Sequence, residues 1–110
     1  MVITLQDAMN GVADFAELDA LPHMPNGGKK ALAYIGVAAA KKNPSVFMKP
    51  YEPFMKMIGV LSEDGTTVDV DSLSGYLRSA FEKVPSVSMW DFRFDAKDVE
   101  KLISRMGGGR

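Results

Sequence analysis

One pattern occurs twice in the C-terminal part of the chain, and it constrains the fold more than any other stretch. "TTVDV" reads as a short strand, and Asp71 then precedes a helix carrying Leu73, Tyr76, Leu77, Ala80, Phe81 and Val84 at three- and four-residue steps. "VSMWDFRF" reads as a second strand, and Asp95 precedes a last helix carrying Val99, Leu102, Ile103 and Met106. The two aspartates stand 24 residues apart. Aspartate suits this place because its carboxylate accepts N–H groups that the first helical turn cannot pair. Asp98, at the third helical position after Asp95, approximates a capping box. The two strands are expected to pair with each other as a small ribbon.

The N-terminal half reads as helical. Thr4 caps a first helix with Asp7 three residues on, and Leu5, Ala8, Met9, Val12, Phe15 and Ala16 follow at helical spacing until about Asp19. "LPHMPNGG" then breaks regular structure with two prolines and Asn-Gly-Gly. A second helix is expected over 28–42. Its middle, "ALAYIGVAAA", is apolar all round, which places it centrally in the fold or at an interface. Asn43-Pro44 ends it. A third helix is expected from about Pro50 to Leu61, with Pro50 and Pro53 in its first turn and Gly65 ending it or lying in the turn beyond. The expected fold is mainly α, about five helices, with a small two-stranded β ribbon. Residues 1–106 form a single globular domain and 107–110 a flexible tail, a length sufficient for one core.

The acidic stretch "SEDGTTVDVDSL" invites comparison with a calcium EF-hand loop, and the helix–loop–strand–helix order is EF-hand-like in shape. Calcium ligands are what it lacks. With Gly65 at loop position 6, position 1 is Val60, position 3 is Ser62, position 9 is Val68 and position 12 is Asp71, which is shorter than the required Glu. Asp64 alone fits well. The acids are instead expected as turn residues, an outward strand residue and a helix cap.

Other chemistry is limited by residue types. There is no cysteine and one histidine, His23, in a proline-flanked loop. Thiolate catalysis, disulfides and the common zinc sites are thereby excluded, and no nucleophile–base pair is legible. "NGGKKA" lacks the first glycine and the Ser/Thr of a phosphate loop. The longest apolar run, 31–40, is too short to span a bilayer, and the N-terminus lacks the pattern of a secretory signal. No metal, no cofactor and no catalytic residue is expected, and the protein is expected to be non-enzymatic, cytoplasmic and without a membrane partner.

Charge is uneven although the formal net charge is −1. Residues 1–26 hold four acids and no base; residues 27–62 hold six lysines (Lys29, Lys30, Lys41, Lys42, Lys49, Lys56) against Glu52. A nucleic-acid-binding accessory protein using the lysine-rich segment 29–56 is therefore the alternative reading. Against it, the segment has no arginine, and the acidic first helix is placed to cancel the lysine field. The leading expectation is protein–protein contact, either self-association or a subunit of an assembly. It rests on "VFMKPYEPFMKMIGVL", where Phe47, Met48, Tyr51, Met55 and Met57 cover more than one helical face. Trp90, in "MWDFRF", is a second candidate contact, on a ribbon whose edge can accept a partner strand.

Overall fold

The computed structural model describes residues 1–89 and 92–107. After a short strand β1 (Val2–Thr4), helix α1 (Leu5–Phe15) starts where expected: Thr4 is extended, and its Oγ1 accepts the Asp7 N–H at 3.1 Å. Leu5, Ala8, Met9 and Phe15 form the buried stripe. The helical path then runs on through a π-turn (Ala16–Ala20) and a 3-10 turn (Leu21–His23), past the expected end at Asp19. Pro22 allows this because it sits in the first turn, where a missing N–H has no partner to lose. The loop is thus confined to 24–27.

Helix α2 (Gly28–Lys42) has the expected span. Residues ahead of the expected third helix form a helix of their own, α3 (Pro44–Met48), and the expected helix is divided into a 3-10 turn (Lys49–Tyr51) and α4 (Glu52–Met57), with Pro44, Pro50 and Pro53 each in a first turn. It stops at Met57, with Gly59 beyond the cap, rather than near Leu61. Gly59 takes φ 77, its N–H donates to the Lys56 carbonyl, and the Val60 N–H donates to the Met55 carbonyl. That paired closure needs a left-handed residue, which glycine supplies without a Cβ clash. Gly65 lies in the following turn, as the second of the two expected alternatives.

Strand β2 (Thr67–Asp69) leads into α5 (Val70–Lys83), and the hairpin β3 (Ser86–Met89) and β4 (Phe92–Asp95) leads into α6 (Ala96–Arg105). The strand–helix pattern therefore occurs twice, but the expected ribbon between its two strands does not form. β2 pairs antiparallel with β1, Ile3 opposite Val68, while β3 pairs antiparallel with β4, Val87 opposite Phe94. The molecule has two small two-stranded sheets on a mainly helical body.

Asp95 caps α6 as expected: its carboxylate accepts the Lys97 and Asp98 N–H groups, and Asp98 returns a bond to the Asp95 N–H at 3.0 Å. The N–H of Asp98, with that of Lys97, holds the Asp95 carboxyl below its ordinary range. The cap of α5 is Asp69, not Asp71. Asp69 Oδ1 accepts the Asp71 and Ser72 N–H groups at 3.0 and 3.2 Å. Pairing with Val2 holds Asp69 extended, and Val70 then begins the helix as a buried residue. Asp71 lies exposed in the first turn, where it meets the Met1 amino group.

The centre is the crossing of α1 and α6. A Cβ built on Gly11 would lie 2.7 Å from Met106 Cγ and 2.9 Å from Met106 Cα. Only glycine permits that approach. Arg105 also reaches across the crossing, its Nε donating to Asp19 Oδ2 at 3.0 Å. One buried cluster joins Leu5, Ala8 and Met9 to Ala40, Val60, Leu61, Val68 and Met106; another joins Val70, Val99 and Ile103. Phe15 contacts Phe94 edge-on at 5.6 Å, and Phe94 contacts Phe81 at 5.3 Å, tying the hairpin to both clusters' helices. The Cα radius of gyration is 13.6 Å. Gly107, the first residue of the expected tail, closes α6 with φ 87, and 108–110 lie outside the described residues.

Gly11→Ala should destabilise the protein by about 1–3 kcal/mol, because the crossing must open. An alanine elsewhere in a helix would stabilise it by up to ~1 kcal/mol, so a raised melting temperature contradicts the close approach. Loss of the cap in Asp69→Ala should cost about 1 kcal/mol in denaturant unfolding, with Asp71→Ala costing clearly less. The reverse ranking would return the cap to Asp71.

Candidate interaction surface

Residues 28–57 make up three apolar helices, yet among these described residues only Ala40 is buried. α2 faces the body with Ala33, Val37 and the buried Ala40 and turns Leu32, Tyr34 and Ile35 outward, at 57%, 50% and 66% exposure. The expectation of a central second helix fails: α2 lies at the surface. The reason lies in composition: alanine favours helix without gaining much from burial, so an alanine-rich helix can sit at the surface.

The broken segment 44–57 divides its side chains. Met48 and Met55, seven residues apart, face inward and pack half-buried against the first core cluster. Phe47, Tyr51 and Phe54 share the other face at four- and three-residue steps, and Val46 and Met57 are the most exposed, at 71% and 74%. The Phe47 and Tyr51 rings meet at 6.2 Å, and Phe54 meets Tyr76 of α5 edge-on at 5.6 Å. Eight of the fourteen exposed large apolar residues among those described fall between 32 and 57, so the exposure is concentrated. Of the six candidate contacts, the structure brings Phe47, Tyr51 and Met57 to the surface and turns Met48 and Met55 in. Trp90 lies outside the described residues.

Behind Met48 and Met55 lies a partly open cavity of about 180 Å³ with only apolar lining. Four methionines, Met9, Met48, Met55 and Met106, line it with Val12, Leu73, Leu77 and Leu102 among others. Methionine is suited to such a wall because it re-packs at low cost. The segment 44–57 is thus the loosely seated side of the core.

Cations border this surface. Lys41 Nζ lies 3.8 Å from Glu17 Oε1, so the acidic first helical stretch does sit beside the lysines, and Lys56 lies 3.9 Å from Glu52. Lys30 donates to Asn26 Oδ1 at 3.2 Å. α2 begins at Gly27 without a side-chain cap and without an acid in its first turn.

The acidic turn is built for itself. Asp64 Oδ1 accepts the Ser62 hydroxyl at 2.7 Å, the Thr66 hydroxyl at 2.7 Å and the Thr66 N–H at 3.1 Å. The Ser62 N–H donates to the Thr67 carbonyl, and Gly65 takes φ 74, so 62–67 is a hairpin turn joining Leu61 to Val68. An open cleft of mixed lining passes beside it, bordered by Thr4, Leu5, Gln6, Pro44, Glu52 and Asp64 among others. Among the described residues no three of His, Asp and Glu gather as a metal would need. His23 is exposed at the end of its 3-10 turn. No helix among the described residues is long and apolar enough to cross a membrane.

Sequence reasoning did not single out Leu32, Tyr34 and Ile35 as exposed, although the lysine pairs on either side of the apolar run were the available signal. It also left the cavity unseen, since that depends on helices distant in sequence.

The Thr66 and Ser62 hydroxyls, with the Thr66 N–H, hold the Asp64 carboxyl at about 2, against an ordinary 3.8. The folded value is the lower one, so the turn's contribution is complete above the unfolded value and is lost as pH falls toward the folded one. A side-chain carbon NMR titration should give Asp64 a midpoint near pH 2; an ordinary carboxylate midpoint would contradict the turn geometry.

Compared with protein-family models, with curated proteins and with solved structures, the chain matches none.

Proposed function

We propose that this chain is a small non-catalytic interaction module, whose α2–α4 surface is covered by another protein surface in its working state. The observation that carries the reading is the single buried residue, Ala40, in the apolar segment 28–57. Isolated exposed apolar residues are ordinary on any protein, whereas a concentration of them rimmed by polar groups marks a contact surface. Aromatic and methionine side chains such as Tyr51, Phe47 and Met57 are the types enriched at such contacts. The nucleic-acid reading has the exposed Lys42 and Lys49 in its favour, but it leaves Ile35, Val46 and Met57 without a role.

The double variant Ile35→Lys with Met57→Lys alters two side chains that the body does not bury, so its melting temperature should stay within about 2 °C of wild type. Analytical ultracentrifugation and affinity capture from source-cell lysate treated with nuclease should show wild type holding a protein, or itself, and the variant releasing it. Capture unaffected by the double variant would overturn the assignment of this surface. Binding to DNA or RNA that weakens steeply with salt, with no protein retained, would move the function to the lysines.

A further inference from the structure

We infer that the apolar cavity behind Met48 and Met55 is a ligand site, one that takes the hydrocarbon tail of a small molecule and leaves its polar end at the surface. The cavity lies beneath α3 and α4, so the inference does not rest on the interaction reading above.

The chemistry of the wall sets the class of ligand. Every atom that faces the cavity is apolar. A bound water needs polar partners, and a polar group buried without one is costly. This wall offers neither a hydrogen bond nor a counter-charge. The part of a ligand that enters is therefore hydrocarbon.

Size sets its length. The volume is about 180 Å³. A cavity of roughly 150 Å³ with comparable walls holds one benzene, so this one has room for about six to eight carbons.

Burial sets its direction. Met9, Leu61, Val68 and Met106 are buried and form a closed floor. Val12, Met48, Met55, Leu73, Leu77 and Leu102 are partly buried and form the open side. A molecule longer than the cavity can thus seat its tail on the floor and keep its polar end in water. At this rim Phe54, next to Met55, meets Tyr76, next to Leu77, with ring centroids 5.6 Å apart. Both rings are exposed, so this bridge between α4 and α5 can part without opening the core. Met48 and Met55 belong to a stretch, 44–57, that has no buried residue. Their unbranched side chains can re-pack around a tail while the α1–α6 crossing stays as it is.

The methionines supply the test and its control. The full chain, labelled at its methionine methyl groups, is titrated with linear alcohols from 1-butanol to 1-decanol and followed by NMR. Met9, Met48, Met55 and Met106 line the cavity, whereas Met24 is buried elsewhere and Met57 is exposed on the outer surface. The four lining methyls should shift, and those of Met24 and Met57 should not. Affinity should rise about fourfold with each added carbon. The rise should level off at about eight carbons, when the cavity is full. Leu77→Trp, which puts a larger side chain at the open side, should abolish the shifts with the circular dichroism spectrum unchanged; if that variant does not fold, the wild-type methyl map decides alone. Shifts at Met57 equal to those of the lining methyls would mean contact with the exposed apolar surface and would overturn the inference. An affinity that keeps rising through 1-decanol would do the same. Benzene is the other source of this chemistry, and its binding without that of the alcohols would assign a compact hydrocarbon and overturn the tail-first site. If no lining methyl shifts with either probe, the inference fails and the interaction reading stands.

Discussion

The structure depends on how closely α1 and α6 approach at Gly11. With a Cβ absent there, the Met106 backbone comes within the distance that any other residue would occupy. That contact brings the two ends of the chain together. It places Met106 in the first core cluster and lets Arg105 reach Asp19. The β1–β2 pairing and the aromatic contacts from Phe15 to Phe94 then follow from helices already fixed relative to one another. The inner body is a sandwich of early and late chain segments, and the middle of the chain is laid on its outside.

That placement explains why the middle segment combines apolar composition with little burial. α2 contacts the body along one narrow face centred near Ala40, and 44–57 contributes chiefly Met48 and Met55 to the core wall. A helix gains most of its stability in a protein from its packed face. The segment 28–57 buries fewer side chains than α1 or α6, with Ala40 its one buried residue, and Met48 and Met55 form one wall of the apolar cavity. The same features that weaken its attachment supply the surface proposed for binding, so stability and function compete here for the same side chains.

What was legible in the sequence follows the range of the interactions involved. The Thr4 and Asp95 caps were legible because each is settled within four residues. The cap of α5 was not, since Asp69 and Asp71 are chemically equal candidates and the choice is made by Val2, 67 residues away. The ribbon was misassigned for the same reason: strand partners are set by tertiary contact, whereas strand character was visible in "TTVDV" and in "VSMWDFRF", the latter read as one strand where β3 and β4 pair with each other. Gly59 and Gly65 both end something, and Val60 reaching back to Met55 decides which one ends the helix. The exposed apolar surface was half legible. Phe47, Tyr51 and Met57 could be read from an excess of apolar residues on too many faces. Leu32, Tyr34 and Ile35 were hidden in an alanine-rich run that looked like a core helix.

A packed inner body carries a weakly seated outer segment, and amide hydrogen exchange measured by mass spectrometry on the full chain tests this most directly. Local opening free energies track burial and packing. Peptides from α1 and α6 should exchange only with global unfolding, while those from α2 through α4 should exchange faster by a factor of ~100 or more, a difference of roughly 3 kcal/mol. Equal protection across both regions would contradict the account, since it would mean that residues 28–57 are held as firmly as the core and expose their apolar side chains without any loss of seating.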